Sequence, residues 1–422
     1  MGVSRLQSNR MKRPGFQLRD FLILGGCVLI MATTLALVIV VASVFFPVVS
    51  KALAVSLPAM ALTGTIVSVA AMISSLLWGR FYARHPLRLP FLVGLAIMGL
   101  AYLGMAAARN IWHLYLASFV IGFMFGGVSM IPVSIIITRH FTKNTGTALS
   151  IAMAGSGLGG MVLNPIINHT ITSLSWQIGY LIVAGVILLV ALPCAALVTY
   201  LVRDELEPAP AAQTRLAAGS GGAYWRAPWY WALLIASLLA GLIGTGIISN
   251  LPSYTRDLNF SIGRISFVTS AYAASMLVGK FLVGIANDKF GAVKGTIFAG
   301  SMVILTALSL HLIENPVFLA VMLLSIGVGV SMGTVSTTWL TNRFFSKADF
   351  SSYFGGVQFF NSLGIAIGLP FLALVREKFG SYTAAWWLVF ALSLVMLALF
   401  LLSIHGNRRA RAAEIIDRVT EN

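Results

Sequence analysis

The sequence predicts an all-α membrane protein of twelve transmembrane helices in two six-helix pseudo-repeats. Three observations predict it. Of 422 residues, 58% are hydrophobic and only 9% are charged, with a mean hydropathy of +0.92. Soluble domains carry about 25% charged residues, so this chain lacks the polar side chains to cover a globular surface. Apolar runs close to membrane-spanning length recur along the whole chain, and its two halves resemble each other at a constant offset.

A helix needs about 20 mostly apolar residues to cross a bilayer. Twelve segments qualify: Phe21–Phe46, Pro58–Trp78, Leu89–Ala107, Trp112–Ile137, Gly146–Ile167, Ile178–Leu201, Trp229–Leu251, Ile265–Ala286, Val293–Leu312, Val317–Leu340, Tyr353–Val375 and Thr383–Ser403. The first follows a basic arm (Arg5, Arg10, Lys12, Arg13, Arg19). It is too long for a signal-peptide core and lacks a convincing small-residue cleavage site, so it is expected to stay as a span. The distribution of positive charge tests the count. With both termini in the cytoplasm, Lys51, Arg109, Arg256, Arg264, Arg376 and Lys378 fall on the outer face, and Lys280 falls inside a span. The other 21 of the 28 Lys and Arg residues fall on the inner face. The net charge of +16 is therefore a topology signal and not a nucleic-acid surface, because it is spread over short segments between apolar stretches. Short loops and lean termini point to a bacterial inner membrane.

The longest connection, Val202 to Pro228, is rich in Ala, Gly and Pro and follows span six. It divides the chain into an N-terminal bundle (1–201), a cytoplasmic central loop (202–228) and a C-terminal bundle with a short basic tail (229–422). Gly79 and Gly284, 205 residues apart, begin matching helix ends, and the same shift pairs Arg84 with Lys289, Gly122 with Gly327, Gly159 with Gly364 and Pro165 with Pro370. Two parallel repeats about an axis along the membrane normal are the architecture of transporters that bind substrate near mid-membrane between their halves.

Lys280 is the one charge inside a predicted span; all twelve Asp and Glu residues fall in loops, termini or helix ends. A cation near the centre of a spanning helix costs roughly 2.5–3.5 kcal/mol on insertion scales, and such residues usually serve function. Lys280 lies eight residues before Asp288, about 12 Å along the axis at 1.5 Å per residue. The functional reading is contact with a substrate anion. The alternative is a lysine that snorkels towards the cytoplasmic interface without touching substrate.

Gly284-Ile-Ala-Asn-Asp288-Lys-Phe-Gly291 resembles the loop between the second and third helices of each half of the major facilitator superfamily. Its first-half counterpart, Gly79 to Arg88, is degenerate, with Ala83 where the superfamily usually has Asp. Gly279-Lys280-Phe-Leu-Val-Gly284, the glycine-rich run Ala154 to Gly160 and Gly380-Ser-Tyr382 resemble the bacterial monocarboxylate-porter and oxalate/formate-antiporter branch. That resemblance implies a cation on the eighth helix, Lys280, that meets a substrate carboxylate, and a cytoplasmic gate in which Asp288 caps or pairs across the halves, with Arg84 and Lys289 as neighbouring gate charges. The chain departs from the branch in two places. Met276 stands where animal-type members have an acid, and no second cation lies between Tyr353 and Val375. A monoanion is therefore expected over a dicarboxylate.

Gln358 and Asn361 of span eleven, Asn164 of span five and Tyr272 of span eight complete the candidate substrate contacts. The bland reading of the amides is hydrogen bonding between helices. For Arg84 and Lys289 it is topology-setting charge. The six histidines lie at helix ends or in loops with no metal-like pair, and Cys27 and Cys194 lie in apolar stretches without ligand spacing. No phosphate-binding G-x-x-x-x-G-K-[ST] loop occurs, so no cofactor and no ATP drive are expected. The leading function is secondary transport of small organic anions, monocarboxylates first, by proton symport or anion exchange, in a protein that works as a monomer in the bilayer. Efflux of hydrophobic or neutral compounds is the alternative within transport. A non-transporting sensor is the alternative outside it. An enzyme is not expected, because the spans hold no catalytic constellation.

Overall fold

In the computed structural model, residues 18–141, 143–203, 224–347 and 349–420 are described, and every regular element among them is helical. The arm residues Arg5, Arg10, Lys12 and Arg13, and most of the central loop, lie outside the described residues. Helix α1 covers 18–52, α2 Leu57–Arg84, α3 Arg88–Ala106, α4 residues 111–140, α5 Thr145–Ser173 and α6 residues 176–201. Helix α7 covers Pro228–Asp257, α8 and α9 residues 262–290 and 292–310, α10 residues 316–344, α11 Phe350–Phe379 and α12 Tyr382–Thr420.

Side chains explain where the even-numbered helices begin. Ser56, Asn110, Ser175, Ser261 and Asn315 each accept a hydrogen bond from a backbone N–H in the first turn of α2, α4, α6, α8 and α10. Such a cap satisfies donors that a helix start leaves orphaned. At the face bearing the chain termini one turn differs from expectation. The polar run Asn287-Asp288-Lys289 is not a loop but the last turn of α8, and α9 follows after Gly291 alone. Gly291 has φ 76° and ψ −177°, a region open only to glycine. That single residue lets two spanning helices pass for one of 49 residues.

Several helices are irregular at depth. α4 breaks at Ser129 (φ −108°, ψ −105°). π-Helical turns occupy Ala36–Val41 in α1, Ile187–Ala191 in α6 and Met332–Ser336 in α10. Shifted by 205 residues, Ser129 falls on Thr334, inside the π turn of α10, so the two repeats bend their fourth helices at the same place. Irregular turns inside long helices often mark functional positions.

The halves meet along two seams, α2 against α11 and α5 against α8. Glycine sets both. A Cβ on Gly79 would stand 2.6 Å from the Ser351 carbonyl oxygen and 2.8 Å from the Gly355 Cα, and a Cβ on Gly284 would overlap Ser150 Oγ. Burial stops at a sharp level along three of the four seam helices. In α5, residues 145–156 include no exposed position, whereas Gly157, Leu158, Met161, Val162, Pro165 and Ile166 are exposed. In α8 no position from 271 to 278 is buried, but Gly279, Lys280, Val283 and Gly284 are. In α11 the closely buried run ends at Gln358. The seams are thus shut on the terminus face, and exposure begins beyond Ser156, Lys280 and Gln358.

Gly291→Ala is expected to cost about 1–3 kcal/mol, the strain of a side chain at that backbone conformation. A thermal unfolding series in detergent checks it, with Gly263→Ala, which meets no atom within 4 Å, remaining near wild type.

Candidate functional site

Two polar layers cross the α5–α8 seam. The layer nearer the termini is built on Asp288. Its Oδ1 accepts from the Gly146 backbone N–H at 2.9 Å and from Trp339 Nε1 at 3.0 Å. Its Oδ2 accepts from the Thr147 N–H at 2.8 Å and from Thr147 Oγ1 at 2.9 Å. The chain reaches this point through Asn144 at φ 56°, which turns the first N–H groups of α5 out of the helix axis and towards α8. A carboxylate on free N–H groups at a helix start gains both charge-assisted hydrogen bonds and the favourable end of the helix dipole. Gly146 matters by its size, since a Cβ there would press on the Gly284 carbonyl oxygen at 2.7 Å. Nearby, Lys347 Nζ donates to the Arg139 carbonyl across the halves at 3.1 Å.

The α2–α11 seam has no such cap. Ala83 occupies the place that the 205-residue shift assigns to Asp288, and Ser351 that of Gly146. The Ser351 hydroxyl is buried without a partner. This seam closes on glycine packing and a weak 3.4 Å bond from Ser75 Oγ to the Gly355 carbonyl.

The second layer lies at the level where burial along α5 and α8 changes. Lys280 is 9% exposed. Its ammonium donates to the Met153 carbonyl at 3.0 Å and to Ser156 Oγ at 3.1 Å, both on α5. The Ser156 hydroxyl itself donates to the Met153 carbonyl at 2.9 Å. An ammonium has three N–H donors; two are used here, on neutral oxygens. No ion pair to Lys280 is found among the described residues. The side chain therefore does not snorkel to an interface but reaches across the seam.

The remaining candidates divide. Gln358 Nε2 donates to Met130 Sδ at 3.0 Å, next to the break in α4, while its Oε1 is buried without a partner. Asn361 donates one amide N–H to the Ser237 carbonyl of α7 at 3.0 Å, a bond between helices of the kind buried amides make in membranes. Asn164 is half-buried with its Oδ1 unpartnered, and Tyr272 is half-buried on α8. Arg84 and Lys289 are exposed at the ends of α2 and α8 and are not drawn into the Asp288 layer. Sequence reasoning missed Ser156, Met153, Gly146, Thr147 and Trp339. Four of these act through backbone atoms or a small hydroxyl that any helix might carry. Only Trp339, an indole N–H at the polar end of a span, gave a signal.

A sequence model of the Major Facilitator Superfamily matches residues 22–263 and 233–417. The chain belongs to this superfamily of membrane transporters. It is 22% identical over 337 residues, 79% of its length and 80% of the relative's, to a protein named multi-drug resistance efflux pump PmrA homolog from Lactococcus lactis subsp. lactis. It is 25% identical over 289 residues, 66% of its length and 64% of the relative's, to monocarboxylate transporter 13 of Bos taurus. Among solved structures, a bacterial homologue of the iron transporter ferroportin in the outward-facing state superposes with TM-score 0.70 at 15% identity, covering 93% of this chain and all of that one. The human organic anion transporter MFSD10 superposes with TM-score 0.66 at 15% identity over the same shares. At such identities the superpositions establish the fold. The protein is a multi-pass membrane transporter and not an enzyme.

Losing the four-bond cap should loosen the closed seam. Asp288→Ala is expected to lower stability by about 1–3 kcal/mol, the cost of unmet charged hydrogen bonds, and Asp288→Asn by less, since its carbonyl still accepts. Thermal unfolding of the purified variants in detergent measures both.

Proposed function

We propose that this transporter moves small organic monoanions, monocarboxylates first, and that Lys280 neutralises the carboxylate. The observation that carries the reading is the state of that ammonium: buried at the floor of a cleft, level with the last buried turns of α5 and α11, and bonded only to neutral oxygens. A buried charge without a counter-charge is costly, and an arriving anion relieves that cost. One cation suits one carboxylate. The likeness to a monocarboxylate transporter supports the same class.

In this reading the halves 1–201 and 229–422 rock about the bound anion. The cap of Asp288 on α5 keeps the terminus face shut while the cleft fills. Arg84 and Lys289, both exposed at the ends of their helices, stand in this reading as topology-setting charges beside the gate. Among the described residues no carboxylate is buried to relay a proton. Coupling therefore runs by anion exchange or by a proton that travels with the acid. Both termini lie in the cytoplasm of a bacterial inner membrane. A C-terminal epitope should then be labelled only after permeabilisation, and labelling on intact cells would overturn the orientation.

Uptake of labelled monocarboxylates into proteoliposomes tests the substrate class. Lys280→Ala is expected to lower it at least tenfold and Lys280→Arg to retain part of it. Dependence on an imposed pH gradient or an internal counter-anion tells symport from exchange. Wild-type rates in Lys280→Ala would overturn the reading. A second reading, export of hydrophobic compounds, draws on the relative named as an efflux pump, which covers 79% of this chain. It predicts energised dye extrusion that Lys280→Ala leaves intact.

A further inference from the structure

We infer that Gln358 reads the other end of the cargo, its Oε1 accepting a hydrogen bond from a hydroxyl on the anion that Lys280 holds. This rests on the Lys280 reading and extends it to the chemistry of the substrate's non-carboxylate end.

The first ground is an unmet acceptor. Gln358 is 8% exposed, its Nε2 is engaged by Met130 Sδ, and its Oε1 has no partner. The sulfur orients the amide, because a thioether can only accept. The nitrogen must point at Met130, and the carbonyl is left to face elsewhere. The residue before Met130 is Ser129, where α4 breaks, and its hydroxyl is also buried without a partner. Buried polar atoms are nearly always hydrogen-bonded. Two unmet ones at consecutive points of one contact, on a bent helix in mid-span, mark a place where a partner arrives.

The second ground is position. Shifted by 205 residues, Gln358 falls on Met153, whose carbonyl holds the Lys280 ammonium. The same shift carries Lys280 to Ser75, which bonds the Gly355 carbonyl one turn before Gln358. Gln358 therefore stands on the α2–α11 seam at the depth at which Lys280 stands on the α5–α8 seam. Burial along α11 and α8 changes at those two residues. At that depth one seam carries a buried cation and the other a buried carbonyl oxygen without a partner.

The third ground is charge. A carbonyl oxygen attracts a proton donor and repels a second carboxylate. The site thus accepts a hydroxylated monoanion, tolerates an unsubstituted one weakly and rejects a dianion.

The test is proteoliposome uptake of the positional isomers of hydroxybutyrate against butyrate and succinate, in wild type, Gln358→Leu and Gln358→Met. Wild type should prefer one hydroxybutyrate isomer over butyrate by about tenfold in kcat/KM, the worth of one hydrogen bond to a buried acceptor. Both variants should bring that ratio close to one while still moving butyrate. Butyrate uptake also certifies folding, and methionine, close to glutamine in size, serves if leucine packs badly. If wild type moves all isomers and butyrate alike, or a butyrate-competent variant keeps the preference, the Gln358 assignment is overturned and the Lys280 reading stands. If neither butyrate nor any isomer is moved, or uptake ignores Lys280→Ala, both fall together.

Discussion

Two opposite charges, Lys280 and Asp288, lie on α8 about 12 Å apart by helical rise, and both reach across to α5. Lys280 takes the Met153 carbonyl and Ser156 Oγ; Asp288 takes the first N–H groups of α5 and, from its own half, the Trp339 indole of α10. The partners across the seam are main-chain atoms and small hydroxyls at both levels. Neither charge has a fixed counter-ion at these contacts, so each contact breaks without leaving an opposite charge stranded. That suits a seam that has to part, whereas a buried ion pair would leave two uncompensated charges when it opened.

Such a seam also couples occupancy to movement. A ligand shifts a conformational balance only by the difference between its affinities for the two states. In the closed seam the ammonium is already bonded to α5. On the proposed reading, an anion arriving from the cleft competes for the same nitrogen, so its binding weakens the tie between the halves at the floor while the Asp288 cap still holds the level below. The glycines of the seams allow backbones to approach at van der Waals distance. Closely packed helices of this kind rock as units, because a small displacement breaks many contacts at once.

How much of this was legible in the sequence follows from the kind of atom involved. Span count and orientation are written in hydrophobicity and charge, both side-chain properties, and twelve spans emerge once Gly291 is seen to join two of them. Lys280 and Asp288 were legible because a lone charge in apolar surroundings stands out. Their partners were not, since backbone carbonyls and N–H groups carry no residue code. Asn361 was legible only in part for a related reason: an amide in a span announces a hydrogen bond but not its direction, and here one bond runs to Ser237 of α7. The bend at Ser129 was only partly legible: Gly126, Gly127 and Pro132 around it weaken and kink a helix, but nothing in the run names the residue at which the break falls.

The two repeats use one seam geometry differently. On α5–α8 the glycine contact is supplemented by the cap and the cation. On α2–α11 the same positions hold Ala83, with no carboxylate, and Ser75, whose bond across the seam is long. An aspartate at 83 would reach the start of α11, where Ser351 offers a buried hydroxyl without a partner, so the missing group and the unmet one sit opposite each other. With only one seam capped, the terminus face is held from one side. Parting of the halves can then begin along α2–α11, where packing and one long hydrogen bond resist, and finish along α5–α8, where the charges are.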